Sequence, residues 1–264
     1  MLPYRAYVSL LKTTTGQRVH RARLRRQNGW PRKKLAEDFV REYAAGRSFA
    51  DIGGMYNIHG AISFLAEESG ATDVTLVDVL KPPAFDDKHR ERSSKVRFVH
   101  GSADDPEVLA EVGPHDVVWC WGVLYHHPNP YQLLAALRTI CTGTLLLETL
   151  TIPDNPAVPN TAVYYPYSGE RGHQLWTTHK GASRQYGITE EIVPHLEYVN
   201  NFWGLSPSCV RSLLNTAGFT VESWGSRPWR QLPGTYVTFR HLFIAKPTHD
   251  PVVAPFGPPA TVPH

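Results

Sequence analysis

From about residue 48 onward the chain alternates short β-branched or apolar runs with stretches of helical character, the pattern of βαβ units stacked around a parallel sheet. Five runs read as successive buried strands: SFADIG (48–53), VTLVDV (74–79), VRFVHG (96–101), DVVWCWG (116–122) and TLLLETL (144–150). Asp105-Pro106, Asn129-Pro130 and Ser206-Pro207 each supply a capping acceptor followed by proline at the first helical position, so a helix is expected to start at each. The last of these helices places Val210, Leu213, Leu214 and Ala217 on one face, and Gly218 stands where a left-handed C-terminal cap is needed. TVESW (220–224) and TYVTFRHLFIAK (235–246) follow, joined by a loop too short for a crossover helix, which predicts an antiparallel hairpin ending the sheet.

Residues 151–205 break this rhythm, being rich in proline and aromatics (Tyr164, Tyr165, Tyr167, Trp176, Tyr186, Tyr198, Phe202, Trp203). Long ordered insertions usually serve function, so this one is expected to cap the carboxyl edge of the sheet. Residues 248–264 hold five prolines and no apolar period, the composition of a disordered tail. The expected architecture is α/β and Rossmann-like: a seven-stranded, mostly parallel sheet with an antiparallel terminal strand, helices on both faces and an aromatic cap insertion, spanning residues 48–247.

Composition narrows the setting. With 264 residues and 42% hydrophobic content, one substantial core with appendages fits better than two full domains. Cys120, Cys141 and Cys209 lie in or beside apolar stretches without metal-ligand spacing, so neither a disulfide framework nor a metal site is expected. No apolar run approaches the roughly 20 residues that span a bilayer, and the N-terminus lacks the features of a secretory signal; a cytoplasmic protein without membrane contact is the expectation. Charge is uneven: residues 1–47 carry twelve Lys or Arg against Glu37, Asp38 and Glu42. This basic helical arm, dense at Arg18, Arg21, Arg23, Arg25, Arg26, Arg32, Lys33 and Lys34, is either a solvated or subunit-interface segment, which allows a homo-oligomer, or an attractor of RNA or another polyanion.

An open parallel sheet binds ligand outside the carboxyl ends of its strands. After the first strand comes Asp51-Ile52-Gly53-Gly54-Met55-Tyr56-Asn57-Ile58-His59-Gly60, whose small residues permit a tight turn close to a ligand. The second strand ends at Asp78, placed to accept ribose hydroxyls from an adenosine-containing ligand, and the third is followed by Gly101-Ser102-Ala103-Asp104-Asp105. A nicotinamide-binding loop would need glycines that Met55 and Ile58 do not provide. The loop resembles motif I of class I S-adenosylmethionine-dependent methyltransferases, D-x-G-x-G-x-G, with Asp51, Gly53 and Gly54 as the fitting part and Met55 and Asn57 in place of two glycines. That resemblance implies S-adenosyl-L-methionine as cofactor, with Ala103 and Asp104 lying against the adenine.

Two further segments, Gly122-Val123-Leu124-Tyr125-His126 and Leu147-Glu148-Thr149-Leu150, resemble the GVLYH and LETL motifs of the tRNA wobble-uridine carboxymethyltransferases. The resemblance implies that Tyr125 and Arg240 correspond to residues holding the extra carboxylate of carboxy-S-adenosylmethionine. That family's lysine has no identifiable counterpart here, so ordinary S-adenosylmethionine is the expected cofactor, and Tyr125 and Arg240 are expected to bind substrate. Methyl transfer is an in-line displacement that needs a positioned nucleophile and, for a hydroxyl, a base. His126, after the fourth strand, is the expected base, with neighbouring His127 and the strand carboxylate Glu148 as alternatives. The expected function is O-methylation of a small hydroxylated molecule such as a glycoside or secondary metabolite. A tRNA-modifying enzyme and a non-catalytic binding or assembly subunit are the competing readings.

Overall fold

The computed structural model describes residues 4–11, 13–28, 35–56, 58–155, 157–164, 202–227 and 239–252. In chain order these form α1 (Tyr4–Leu11), α2 (Thr14–Asn28), α3 (Ala36–Ala44), β1 (Ser48–Ile52), α4 (Ala61–Glu68), β2 (Asp73–Asp78), α5 (Pro83–Glu91), β3 (Arg97–His100), α6 (Pro106–Val112), β4 (His115–Trp121), a 3-10 turn (Leu124–His126), α7 (Pro130–Ile140), β5 (Cys141–Thr151), β6 (Ala162–Tyr164), β7 (Trp203–Leu205), α8 (Pro207–Thr216), β8 (Phe219–Arg227) and β9 (Phe239–Pro247). The five strands read from the sequence lie parallel in the order β3-β2-β1-β4-β5. The hairpin completes the sheet with its second strand innermost, since β9 pairs antiparallel with β5 on one side and with β8 on the other.

Alternation along the pleat builds a core on each face. On one, Ala50, Val118, Leu145, Leu147 and Phe243 pack with Leu133, Leu137, Val210 and Leu214 of α7 and α8. On the other, Phe49, Trp119, Leu146 and Leu242 meet Phe39, Val40, Phe64 and Phe85 of α3, α4 and α5. A sheet covered on both sides explains why its central strands read as continuous apolar runs. The three expected caps form: Asp105, Asn129 and Ser206 accept backbone N–H groups from Glu107, Gln132 and Cys209, each interaction contributing about 1 kcal/mol. Gly218 has φ of +94°, as its place after α8 requires.

Three expectations change. The boundary at residue 48 falls inside the packed unit, because α3 buries Phe39, Val40 and Ala44 against the sheet; only α1 and α2 form an arm, with α2 lying against β8 and the His20 ring 4.8 Å from that of Phe239. Arg18 and Arg23 are exposed on α2, whereas Arg32, Lys33 and Lys34 lie outside the described residues. The tail is not disordered throughout: Thr248 N–H donates to Gly218 O, Val252 N–H to Thr216 O, Arg138 Nε to His249 O at 3.0 Å, and the Tyr131 hydroxyl to Val252 O. Backbone carbonyls of the tail thus supply acceptors for side chains of α7, a role that its composition does not advertise. Residues from 253 onward lie outside the described residues.

The cap contributes two strands beyond the seven expected. β7 joins β5 through the Thr151–Leu205 pair, and β6 pairs antiparallel with β7. This ribbon stands at the carboxyl end of β5, with Tyr164 packed 4.6 Å from Trp203 between ring centroids. Tyr165, Tyr167, Trp176, Tyr186 and Tyr198 lie outside the described residues. All three cysteines are buried free thiols. Among the described residues no helix is long and apolar enough to cross a membrane, and no cluster of three metal-ligating side chains occurs.

Candidate active site

Parallel pairing sets the ends of the strands side by side. Ile52 pairs with Val77, and Asp78 with His100, so the turn after β1, the end of β2 and the turn after β3 meet along one edge. At Gly53 the backbone takes φ of +78°, and a side chain there would strike Val123. A Cβ at Gly54 would collide with the Asp51 carboxylate, so this glycine is required by close approach. Asp51 itself is buried and accepts a hydrogen bond from Ser63 Oγ of α4 at 2.7 Å. Burial pushes its carboxyl up to about 7; the Ser63 bond opposes the rise and the nearby Asp78 charge adds to it.

The Asp78 carboxylate stitches the edge together. One oxygen accepts Met55 N–H at 2.8 Å, from the turn after β1, and the other accepts Leu80 N–H at 2.9 Å. Burial raises its pKa, and the backbone bonds partly offset that rise. After β3, Ala103 is buried, and Asp104 accepts from Ser102 Oγ and from Gln132 Nε2 at 2.9 Å. His127 Nε2 lies 3.1 Å from the same Asp104 oxygen. Asp105 caps α6.

A second group forms where β4, β5 and β9 end. Gly122 turns the chain with φ of +79° and donates its N–H to Glu148 O. The 3-10 turn then carries Tyr125 and His126, whose rings lie 4.0 Å apart between centroids. Arg240 of β9 donates Nη2 to the Tyr125 hydroxyl at 3.2 Å and Nη1 to Glu148 Oε2 at 2.9 Å. The two residues 115 positions apart that the sequence singled out together, Tyr125 and Arg240, are thus in contact. Burial alone would lower the Arg240 pKa, but Tyr125 and Glu148 outweigh it and hold the guanidinium charged above its ordinary range. Glu148, fully buried and expected as an alternative base, instead has its carboxylate paired with Arg240. The two histidines diverge, His126 toward Tyr125 and His127 toward Asp104.

Sequence reasoning did not find Ser63 as the partner of Asp51, nor the Asp104–His127–Gln132 cluster. A serine in the interior of an otherwise apolar helical stretch was the available signal for the first. The second joins loops 23 positions apart in the chain, and no local pattern announces it.

The strand order, with a reversed strand between β5 and β8, and the acids gathered at the strand ends define the Rossmann-like methyltransferase fold. Among solved structures sharing it is the 1,6-didemethyltoxoflavin-N1-methyltransferase of Burkholderia thailandensis, determined with 1,6-didemethyltoxoflavin and S-adenosylhomocysteine. It is 15% identical, with 94% of this chain and 92% of that chain covered at a TM-score of 0.52. The magnesium protoporphyrin IX methyltransferase of Synechocystis PCC 6803, with bound S-adenosylhomocysteine, is 14% identical over 93% and 100% of the two chains at 0.51. The [4+2]-cyclase SpnF is 14% identical over 80% of each at 0.54. No protein-family model and no curated protein matches the chain. At these identities the likeness is one of fold, and the resemblance to tRNA carboxymethyltransferases rests on the two short motifs alone.

Proposed function

We propose that this chain is an S-adenosylmethionine-dependent methyltransferase that methylates a hydroxyl group of a small acceptor. The observation that carries the reading is the gathering of Asp51, Asp78 and Asp104 along one sheet edge, beside a glycine turn too tight for side chains. The donor and acceptor chemistry fits the cofactor. Ribose hydroxyls and the adenine amino group are hydrogen-bond donors, and a carboxylate offers about four acceptor positions. Among the described residues Asp78 and Asp104 each retain capacity beyond their protein partners, and Gly53 and Gly54 keep the backbone of the turn accessible.

When bound, the cofactor supplies an electrophilic methyl group on a sulfonium. The chain's own work is then positional and protolytic. Asp78 would hold the ribose, Ala103 and Asp104 would face the adenine, and Asp51 with Gly53 and Gly54 shapes the turn. His126, partly buried on the 3-10 turn, would take the acceptor's hydroxyl proton. Tyr125 and Arg240 line the acceptor side. Two of the solved structures above hold S-adenosylhomocysteine, which supports the same cofactor here.

The contact between Tyr125 and Arg240 also favours a second reading, a tRNA-modifying enzyme using carboxy-S-adenosylmethionine. Charge balance argues for the ordinary cofactor. Glu148 balances Arg240, but the LETL motif carries the same glutamate, so the discrimination rests on the lysine that has no identifiable counterpart here: without it a second carboxylate would lack a paired cation, which costs several kcal/mol. Calorimetric titration with S-adenosylhomocysteine, followed by an acceptor screen with labelled S-adenosylmethionine, tests the proposal. Saturable binding and label transfer to a hydroxylated small molecule are expected. Absence of binding refutes it, and label found only in RNA turns the assignment to the second reading.

A further inference from the structure

His127 sits one residue beyond the expected base, yet its ring turns away from that side and closes on the loop after β3. We infer that His127 is a positioning residue for adenine recognition: it acts through Asp104, and it ties the adenine end of the cleft to the turn that carries Tyr125 and His126. The inference rests on the reading of Asp104 as the acceptor for the adenine amino group.

The hydrogen-bond inventory fixes what His127 does. Asp104 Oδ2 receives Gln132 Nε2 at 2.9 Å and faces His127 Nε2 at 3.1 Å, while Oδ1 receives the Ser102 hydroxyl. Among the described residues three of the roughly four acceptor positions of the carboxylate are therefore filled, and the open one is on Oδ1. The other ring nitrogen, Nδ1, lies 3.1 Å from Asn129 N and 2.7 Å from Asn129 O. In the neutral ring Asn129 N–H donates to Nδ1, which puts the proton on Nε2. In the charged ring Nδ1–H donates to Asn129 O and Nε2 is protonated as well. Both forms present Nε2–H to Asp104; the remaining tautomer would set a lone pair against a carboxylate. His127 is thus a donor to Asp104 in every favourable state, with side-chain exposures of 14% and 18% keeping water largely out of the pair.

Two donors on Oδ2 orient the carboxylate, so that the vacant Oδ1 position has a fixed direction. A carboxylate free to rotate would pay that ordering on binding, and the loss of orientation falls on discrimination rather than on folding. The second consequence is mechanical. His127 N–H donates to Leu124 O and His126 N–H to Val123 O, so the backbone that aims His126 is continuous with the ring that holds Asp104.

The test compares S-adenosylhomocysteine with S-inosylhomocysteine, in which the amino group is replaced by a carbonyl that cannot donate. The full chain should prefer the adenine form by about 10-fold to 100-fold, the effect of one charge-assisted hydrogen bond. In His127→Asn the side chain still reaches Asn129 but not Asp104; the preference should shrink to about 3-fold or less, with KM for S-adenosylmethionine rising and kcat changing little. His127→Gln restores a donor at the Nε2 position and should recover most of the preference. An unchanged preference in a folded His127→Asn, or no preference in the unaltered chain, overturns the inference while leaving the cofactor assignment standing. Failure of the unaltered chain to bind either ligand refutes the cofactor reading, and this inference falls with it.

Discussion

At the scale of single residues, Asp78 carries two loads that an alanine substitution would confuse. Removing its carboxylate strands the N–H groups of Met55 and Leu80, each worth about 1–3 kcal/mol when buried without a partner. Asp78→Asn keeps an acceptor for one of them and removes the charge. Its S-adenosylhomocysteine affinity, measured calorimetrically below the variant's melting temperature, should fall by about 1.5–3 kcal/mol; undiminished affinity would detach β2 from cofactor binding. For His126, packed on Tyr125 but outside the Asp104 cluster, alanine should lower kcat for a hydroxyl acceptor by about 100-fold to 10,000-fold. Cofactor affinity should change little. Full activity with an unaltered pH profile would leave proximity alone to explain transfer. The positions of these residues were legible because Asp78 ends a strand and His126 follows one, and an open sheet presents its chemistry at strand ends. The partner of Glu148 was not legible, because Arg240 is 92 positions away in the chain.

At the scale of elements, the strands and caps were readable because their signals are local: apolar runs for a doubly covered sheet, and capping residues followed by proline at α6, α7 and α8. The helix α3 was assigned to the arm because charge dominates its neighbourhood, although Phe39, Val40, Tyr43 and Ala44 already form an apolar stripe along it. The tail was misread for a different reason. Its docking uses carbonyl oxygens, which every residue has, so composition is silent about it. Deleting residues 248–264 removes the acceptors at His249 and Val252 and the N–H donors at Thr248 and Val252. A loss of about 2 kcal/mol is expected, or roughly 4–8 °C in melting temperature for a domain of this size. Scanning calorimetry checks it, and an unchanged melting temperature would show that these contacts contribute nothing net. The rate of methyl transfer in the deletion variant, assayed at 25 °C, should be retained.

At the scale of the whole molecule, two buried titratable groups pull stability in opposite directions with pH. Asp51 has its carboxyl pushed up to about 7 by burial, above the value of about 4 in an unfolded chain. The folded state therefore holds the extra proton, and stability falls as pH rises from about 4 to 7. His241, fully buried with Nδ1 at 2.7 Å from Thr151 Oγ1, is lowered to about 3 by burial and, secondarily, by His20. Its unfolded value is about 6.5, so stability falls as pH drops from about 6.5 to 3. The slopes oppose one another between pH 4 and 6.5. Melting curves of Asp51→Asn should gain stability with rising pH across that window, and those of His241→Phe should lose it; parallel curves for the two variants would show that neither group titrates as its burial dictates. The fold itself does not choose the reaction. A [4+2]-cyclase shares it at a TM-score of 0.54, which is why product identification, and not only cofactor binding, decides the assignment.

The innermost position of β9 has a consequence for how the protein is made. Arg240 reaches Tyr125 and Glu148 only when β9 enters the gap between β5 and β8, and β9 is the last described strand to be synthesised. Until then β5 presents an unpaired edge of apolar sequence, the kind of surface that recruits other chains. Closing contacts across 92 and 115 positions is slow compared with local helix formation. A nascent chain that has already folded β1 to β5 would still lack Arg240 beside Tyr125 and Glu148. Translation pauses before residue 239 would lengthen exposure of the β5 edge, and aggregation during expression, more than instability of the finished fold, is where substitutions in β9 should first be felt.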